Sequence, residues 1–456
     1  MILISKAFVR ADMNRYILRL LNLLHHDKRL QQVAHPQQQP LLKTAKAWHS
    51  YWQAQGQLWR TEPEIDKKRQ EFLTQRYAVV PDMKKGVYPF KDIKLNRADV
   101  EWLLARHQEE HGPLHHRIGA HARGLDLRGA DLRYADLSRL PLTQLRGGLG
   151  SAEWRSSSEE QREAAAIHLE GASLNRADLQ WASLRSAHLE GTDLRYAHLE
   201  GATLRAAHLV GNGADPPPAD LRHALFDQET VLEDIILGNK EVGSAWLADI
   251  HWSGVNLGVV DWMQVKMLGD EREARQRKTH DNKNKDTVTR IKEHQAAVRA
   301  NRQLATVLRE QGMHESAARF AYRAQVLQRK NVWLHLFQPK GDLLLWVLRF
   351  GTYIFSWLLN MLSGYGYKPQ RSLIAYVLVI SVFTLAYYAL GQTVGPSFSP
   401  LGALVFSITS FHGRGFFPGG IRLDDPITAL AAFEAVVGLT IEVSLIATFT
   451  QQFFGR

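Results

Sequence analysis

The feature that most restricts how this chain can fold is a period of five. From Leu125 the segment "LDLRGADLRYADLSRLPL" sets leucines at Leu127, Leu132, Leu137 and Leu142, with Leu125, Ala130, Ala135 and Leu140 two residues before them. An irregular insertion follows near residues 147–165, and the frame resumes with nine consecutive centres: Leu169, Leu174, Leu179, Leu184, Leu189, Leu194, Leu199, Leu204 and Leu209. The positions two before those centres hold Ile167, Ala172, Ala177, Ala182, Ala187, Thr192, Ala197, Ala202 and Ala207. A third block is degenerate, with Leu221 and Phe226, then Leu247, Trp252, Leu257 and Trp262. Self-similarity at a fixed short period marks a stacked repeat architecture.

Units such as "ADLRY" at residues 130–134 and "TDLRY" at residues 192–196 resemble the pentapeptide-repeat proteins. The resemblance implies a right-handed quadrilateral β-helix. Each pentapeptide would form one side of a square coil, with the central Leu and the small residue two before it facing inward. The residues agree, since the inward positions are almost all Leu or Ala and the outward ones are Asp, His, Glu, Arg, Ser and Thr. About 19 pentapeptides at four per coil make roughly five coils, each rising about 4.8 Å at ordinary strand spacing. Such a rod lacks a cleft, and no nucleotide-binding glycine loop, Ser-His-Asp pattern or zinc-protease spacing occurs, so an enzyme is not expected.

At 456 residues the chain is long enough for several folding units. It has no cysteine, which excludes disulfides, thiolate metal sites and cysteine nucleophiles, and suits a reducing compartment. No secretory signal is visible at the amino terminus, because Lys6 and Arg10 interrupt the apolar run. The net charge of +10 hides two opposite parts: residues 124–262 carry 12 Lys and Arg against 21 Asp and Glu, leaving 44 against 25 elsewhere. Basic flanks beside membrane segments read first as contacts with anionic lipid and the cytoplasmic face. A DNA-mimicking role fits poorly, since Arg185, Arg195 and Arg205 interrupt an anionic stripe and a membrane anchor is out of place there. Nucleic acid is not an expected partner.

Residues 1–120 read as a helical region, with "YILRLLNLLHH" and "VEWLLARHQEEHG" at helical spacing. Residues 266–331 read as a charged linker containing a helical hairpin similar to a single tetratricopeptide unit, turned at Gly312, which must pack on a neighbour or another subunit to bury its face.

Beyond residue 342 the composition changes. Residues 372–390 and 427–449 are apolar enough to cross a bilayer of about 30 Å. Lys368, Arg371 and Arg456 place both ends of the pair inside. Residues 343–362 are apolar too. A third crossing would put Lys368 and Arg371 outside, so the preferred reading of residues 332–371 is an interfacial helix, with Arg349 at the headgroups and Trp346, Tyr353 and Trp357 in the aromatic belt. Between the two crossings, Ser399 can cap and Pro400 can start a short helix, "LGALVFSITSF", and the glycines of "HGRGFFPGG" follow. Backbone of this kind at membrane depth survives only when buried in protein or lining water.

This tail resembles the two-transmembrane pore module of the potassium-channel superfamily, and the whole arrangement resembles bacterial pentapeptide-repeat proteins ending in an ion-channel domain. The resemblance covers residues 80–456 and implies a homotetramer in a plasma membrane conducting a monovalent cation, with residues 372–456 as the pore domain. On that pattern Ser410, Phe411, His412, Gly413, Arg414 and Gly415 occupy the filter, where only the two glycines match the potassium signature. Gly438 matches the bending glycine of inner helices. Glu434 and Glu442 lie four before and four after it, on one helical face, and the three are expected to line and gate the pore. Glu442 is expected either to ring a watery lumen or to pair inside the bundle, and Asp424 and Asp425 to sit at the outer mouth.

His168, His188 and His208 are spaced by one coil and should stack, with Glu170, Glu190 and Glu200 beside the repeats, a candidate pH-sensing ladder weighed against ordinary solvated polar positions. Equivalent atoms in adjacent coils point the same way rather than converging, which argues against a metal site. No cofactor is expected.

Overall fold

A computed structural model describes residues 45–112, 124–336, 343–393, 397–413 and 425–453, apart from 212, 214, 240, 280 and 281. The segment "YILRLLNLLHH", Arg414, Gly415, Asp424 and Arg456 lie outside the described residues.

Three helices open the described chain: α1 (Ala45–Ala54), α2 (Lys67–Tyr77) and α3 (Arg97–His111). Helix α3 starts where Asn96 and Asp99 cap each other's backbone N–H groups, satisfying donors that a helix start leaves orphaned. Its Leu103 and Leu104 are buried in one apolar cluster with Leu73, Phe90 and the inward leucines of the repeat segment. The fully buried Glu101 accepts from the backbone N–H groups of Thr61 and Glu62 at 3.0 and 2.9 Å and from Arg97 Nε at 2.8 Å, tying the connection after α1 to α3.

The repeat segment is a stacked coil. Every central leucine from Leu127 to Leu209 is buried, as are the residues two before them, save the half-buried Ala135. Two residues after the centres the backbone turns left-handed, at Tyr134, Arg139, Gln144, Gly171, Arg176, Trp181, Ser186, Gly191, Tyr196, Gly201 and Ala206, with φ between 54° and 71°. The N–H one residue further on donates back to the leucine carbonyl, as from Ala172 to Leu169 and from Ala177 to Leu174. A left-handed third residue is what a type II turn requires. This recurring turn ends the extended backbone after one or two residues, so where the sequence predicts a β-helix the described residues show isolated parallel bridges and few strands. Four short strands are assigned among the described residues: β1 (Leu225–Asp227), β2 (Gly238–Asn239), β3 (Gly243–Ser244) and β4 (His251–Ser253). The bridges have a fixed register: His168 pairs with His188, Ser173 with Asp193, Asp178 with His198, Ser183 with Thr203 and His188 with His208.

Two departures from the period have local causes. The insertion folds as α4 (Ser151–Ser156) and α5 (Glu159–Ala165), and Trp154 packs on Tyr88, Leu149 and Ala165, so pairing across it runs Asp131 to His168. Later, extra residues shift the frame, and Leu232 and Leu237, outside the five-residue count from Leu221, are also buried. The ladder also reaches Lys94, which pairs with Asp131 ahead of the repeat read from sequence.

Helices α6 (Gly269–Arg275), α7 (Thr287–Glu310) and α8 (His314–Leu336) follow. Gly312, with φ of 79°, makes the expected turn between α7 and α8. The hairpin buries its apolar face on the end of the coil: Phe320 meets the Trp262 ring edge-on at 5.9 Å, and Arg299 grips Asp249 with two bonds of 2.9 Å. Helices therefore close the coil at both ends, which a stack of repeats needs because its terminal units have no further neighbour.

The tail comprises α9 (Leu343–Ser363), α10 (Pro369–Gly391), α11 (Pro400–Phe411) and α12 (Pro426–Phe453). Three of these are long and apolar enough to cross a membrane, over Leu344–Ser363, Pro369–Gly391 and Pro426–Thr450. Helix α9 is among them. It joins the hairpin through Trp333 on Tyr353 and through a Tyr322 hydroxyl donating to Asn360 at 3.1 Å, while Lys368 sits 4.4 Å over the Tyr322 ring. Arg349 donates to the His335 carbonyl at 3.4 Å.

Candidate functional site

Two clusters bring polar chemistry together, one in the tail and one on the coil wall. In the tail, α11 begins as its sequence requires: the Ser399 hydroxyl accepts from Gly402 N–H at 3.1 Å and Pro400 opens the first turn. The helix is too short to span a bilayer and packs between α10 and α12, with Phe383, Tyr387, Ala403, Phe406, Ile427 and Ala431 at their junction.

The face of α12 bearing Glu434, Gly438 and Glu442 is turned onto α11, and each residue meets it one turn further along. Glu434, expected along an open path, is fully buried; it accepts from the Tyr387 hydroxyl of α10 and the Ser407 hydroxyl of α11, both at 2.6 Å. Ser407 also lies 3.2 Å from the Ile380 carbonyl. One carboxylate thus joins three helices, consistent with the rule that a charge-bearing group inside a membrane bundle faces protein and finds partners. A Cβ at Gly438 would stand 2.1 Å from the Phe411 carbonyl oxygen, so the backbones approach there more closely than any side chain allows. Glu442, one-third exposed, pairs with Nδ1 of His412, whose Nε2 lies 3.3 Å from the Tyr376 hydroxyl.

Of the expected filter residues, Ser410 and Phe411 form the last turn of α11 and are buried; Phe411 packs with Ile380 and Ile441. His412 and Gly413 follow in the open, and Gly413 has φ of 65° with no atom within 4 Å of a Cβ position. Asp425 immediately precedes α12, and its carbonyl accepts from Thr428 N–H at 2.9 Å. Tyr376, Tyr387 and Ser407 were not singled out from sequence. The available signal was a polar group within an apolar helix.

On the coil wall, His168, His188 and His208 stack as expected from the 20-residue spacing. The first two rings are 4.8 Å apart and parallel within 2°, and the second pair is 5.0 Å apart at 72°. His188 Nε2 lies 2.8 Å from Glu163 of α5, and its Nδ1 is 3.7 Å from Glu190. Glu190 and then Glu163 hold the His188 imidazole up to about 9 against the desolvating effect of burial, while burial, with the neighbouring His188 charge, pushes His208 down. Parallel projection does not keep these groups apart. The ligand atoms of His168, Glu170 and His188, and those of His188, Glu190 and His208, lie within 4.8 Å of one another, because the coil rise is itself that short.

A leucine-lined coil with one left-handed turn every five residues, followed by apolar helices, defines a pentapeptide-repeat segment joined to a helical tail. The Pentapeptide repeats family matches residues 118–144 and 168–211, in eight copies. Among solved structures, the pentapeptide repeat protein Rfr23 from the cyanobacterium Cyanothece 51142 is 24% identical, covering 28% of this chain and 80% of its own, with a TM-score of 0.15. The pentapeptide repeat protein AT2G44920 from the Arabidopsis thaliana thylakoid lumen is 21% identical, covering 27% of this chain and 66% of its own, with a TM-score of 0.13. QnrB1, a plasmid-mediated fluoroquinolone resistance protein, is 16% identical, covering 31% of this chain and 78% of its own, with a TM-score of 0.12. No curated protein matches the chain.

Proposed function

We propose that this chain is a subunit of a homotetrameric, cation-conducting channel of a bacterial plasma membrane, with the pentapeptide-repeat coil and its helical caps forming a cytoplasmic sensing or partner-binding assembly. The observation that carries the reading is the order and packing of α10, α11 and α12: a short capped helix is held between two membrane-length helices through buried Glu434, and a glycine in the left-handed region follows it. Four copies of that unit would surround one path, with His412 and Gly413 entering it and Glu442 able to reach it from behind His412. The outward apolar row of α12, Phe433, Val436, Leu439, Val443 and Ile446, is between 58% and 65% exposed in the single chain and is available to lipid or to neighbouring subunits. We read the coil as the right-handed four-sided β-helix, supported by bridges that recur every 20 residues, four pentapeptides. Helix α9 is read as the interfacial coupler between hairpin and pore, supported by its contacts with Trp333, Tyr322 and His335.

The test is the reversal potential of purified protein in planar bilayers, first in asymmetric KCl and then with KCl against NaCl. A cation-selective current that disappears in Gly413→Ala supports the channel. Silence from folded, tetrameric protein favours instead a membrane-anchored scaffold whose coil binds a cytoplasmic protein, and a current selective for anions overturns the assignment of the path.

A further inference from the structure

The histidine stack carries more than a ladder of solvated rings. Two of its members open His-Leu-Glu units, at residues 168–170 and 188–190, but the third reads His208-Leu209-Val210. With valine in place of its own carboxylate, His208 turns Nδ1 toward Glu190 of the preceding coil, 3.9 Å from Oε1, while His188 Nδ1 stands 3.7 Å from the same oxygen. These separations are too long for hydrogen bonds. They are close to the edge of a tetrahedral zinc shell, about 3.3 Å for ligands at about 2.0–2.1 Å from the ion.

Two further observations point the same way. Glu190 is only 8% exposed, and its Oε2 is a buried oxygen without a hydrogen-bond partner. On the far side of the His188 ring, Nε2 is engaged by Glu163 at 2.8 Å, the outer carboxylate that characteristically orients a metal-ligating imidazole. We propose that His188 Nδ1, Glu190 and His208 Nδ1 form a binding site for a divalent transition metal of the zinc class, with Glu163 as the positioning residue and the fourth coordination position left to water. His208, one-third exposed, gives the ion its approach from solvent. The bound ion ties two successive coils together across the wall, independently of whether the tail conducts.

The test uses the full-length, untagged chain in detergent, freed of metal by chelation. Equilibrium dialysis against Zn2+ is expected to give one tightly held ion per chain, and Co2+ in its place is expected to show the intense visible bands of tetrahedral coordination. Glu190→Gln and His208→Asn are expected to abolish the Co2+ spectrum, and Glu163→Gln to weaken binding by about tenfold. His198→Asn, two pentapeptides further round the coil and in register with Asp178 rather than with the stack, is expected to leave both readouts unchanged. Absence of stoichiometric Zn2+ binding by the wild-type chain overturns the proposal, as does a Co2+ spectrum that survives Glu190→Gln. Because the wild-type measurement decides by itself, a variant that fails to fold does not shelter the idea.

Discussion

Gly438 and His188 show how much depends on single positions. Gly438 is legible in sequence as a glycine in an apolar helix, and the bend it suggests is one use of glycine. What sequence cannot reveal is that its missing side chain is filled by the Phe411 carbonyl, a contact between residues 27 apart. Gly438→Ala is therefore expected to separate α11 from α12 and lower the unfolding temperature of the detergent-solubilised protein; an unchanged melting curve would show that the contact is not needed. His188 is held protonated up to about 9 by Glu190 and Glu163, with His168, Glu170 and His208 facing it from the neighbouring coils. Since the folded value lies above the ordinary 6.5, this charge contributes its full stability below about pH 6.5 and loses it as pH rises through about 9. Metal-free wild type is expected to exceed His188→Gln in unfolding free energy by about 2 kcal/mol at pH 6 and to converge on it by about pH 9.5. A pH-independent difference would mean that the ring contributes packing and no charge.

Elements followed the sequence wherever a local cause sufficed. Helix α11 starts at Pro400 because Ser399 and Pro400 are chemically a helix start, and the hairpin turns at Gly312 because glycine takes the left-handed region freely. The coil's inward row was legible for the same reason: every unit repeats one turn and one buried leucine. Among the described residues no strand exceeds three residues, since a left-handed residue every five positions interrupts the extended backbone, and the frame shift before Leu232 was invisible to a fixed count. The hairpin needs a neighbour for its apolar face, and the neighbour is the coil end. Phe320, fully buried against Trp262, is the anchor of that closure. Phe320→Ala is expected to cost about 3–5 kcal/mol, read from denaturant unfolding of the full chain. Asp249→Ala, which releases the exposed Arg299 on the same seam, is expected to cost about 1 kcal/mol or less. Equal losses from the two would place the closure's stability in the ion pair rather than in the buried ring.

At the scale of the whole molecule, a coil closed by helices at both ends is joined through α8 and α9 to a bundle of membrane-length helices. If four such bundles enclose a path, mass measurement in detergent or lipid nanodiscs is expected to give four chains per particle; a monomer that retains its fold would count against the channel. The order of parts was already determined by the sequence, because a five-residue period, a charged hairpin and three apolar stretches are each a local composition with a local physical consequence. The tertiary structure alone decided which polar groups of different elements share a space. Glu434 lies between Tyr387 and Ser407 because α10, α11 and α12 pack together, and a carboxylate in an apolar bundle settles where hydroxyls can donate to it. Glu163, carried by an insertion outside the repeat, reaches His188 because α5 folds back over the coil wall. Contacts between different elements, unlike those between successive repeats, depend on how the elements pack, and no spacing along the chain encodes them.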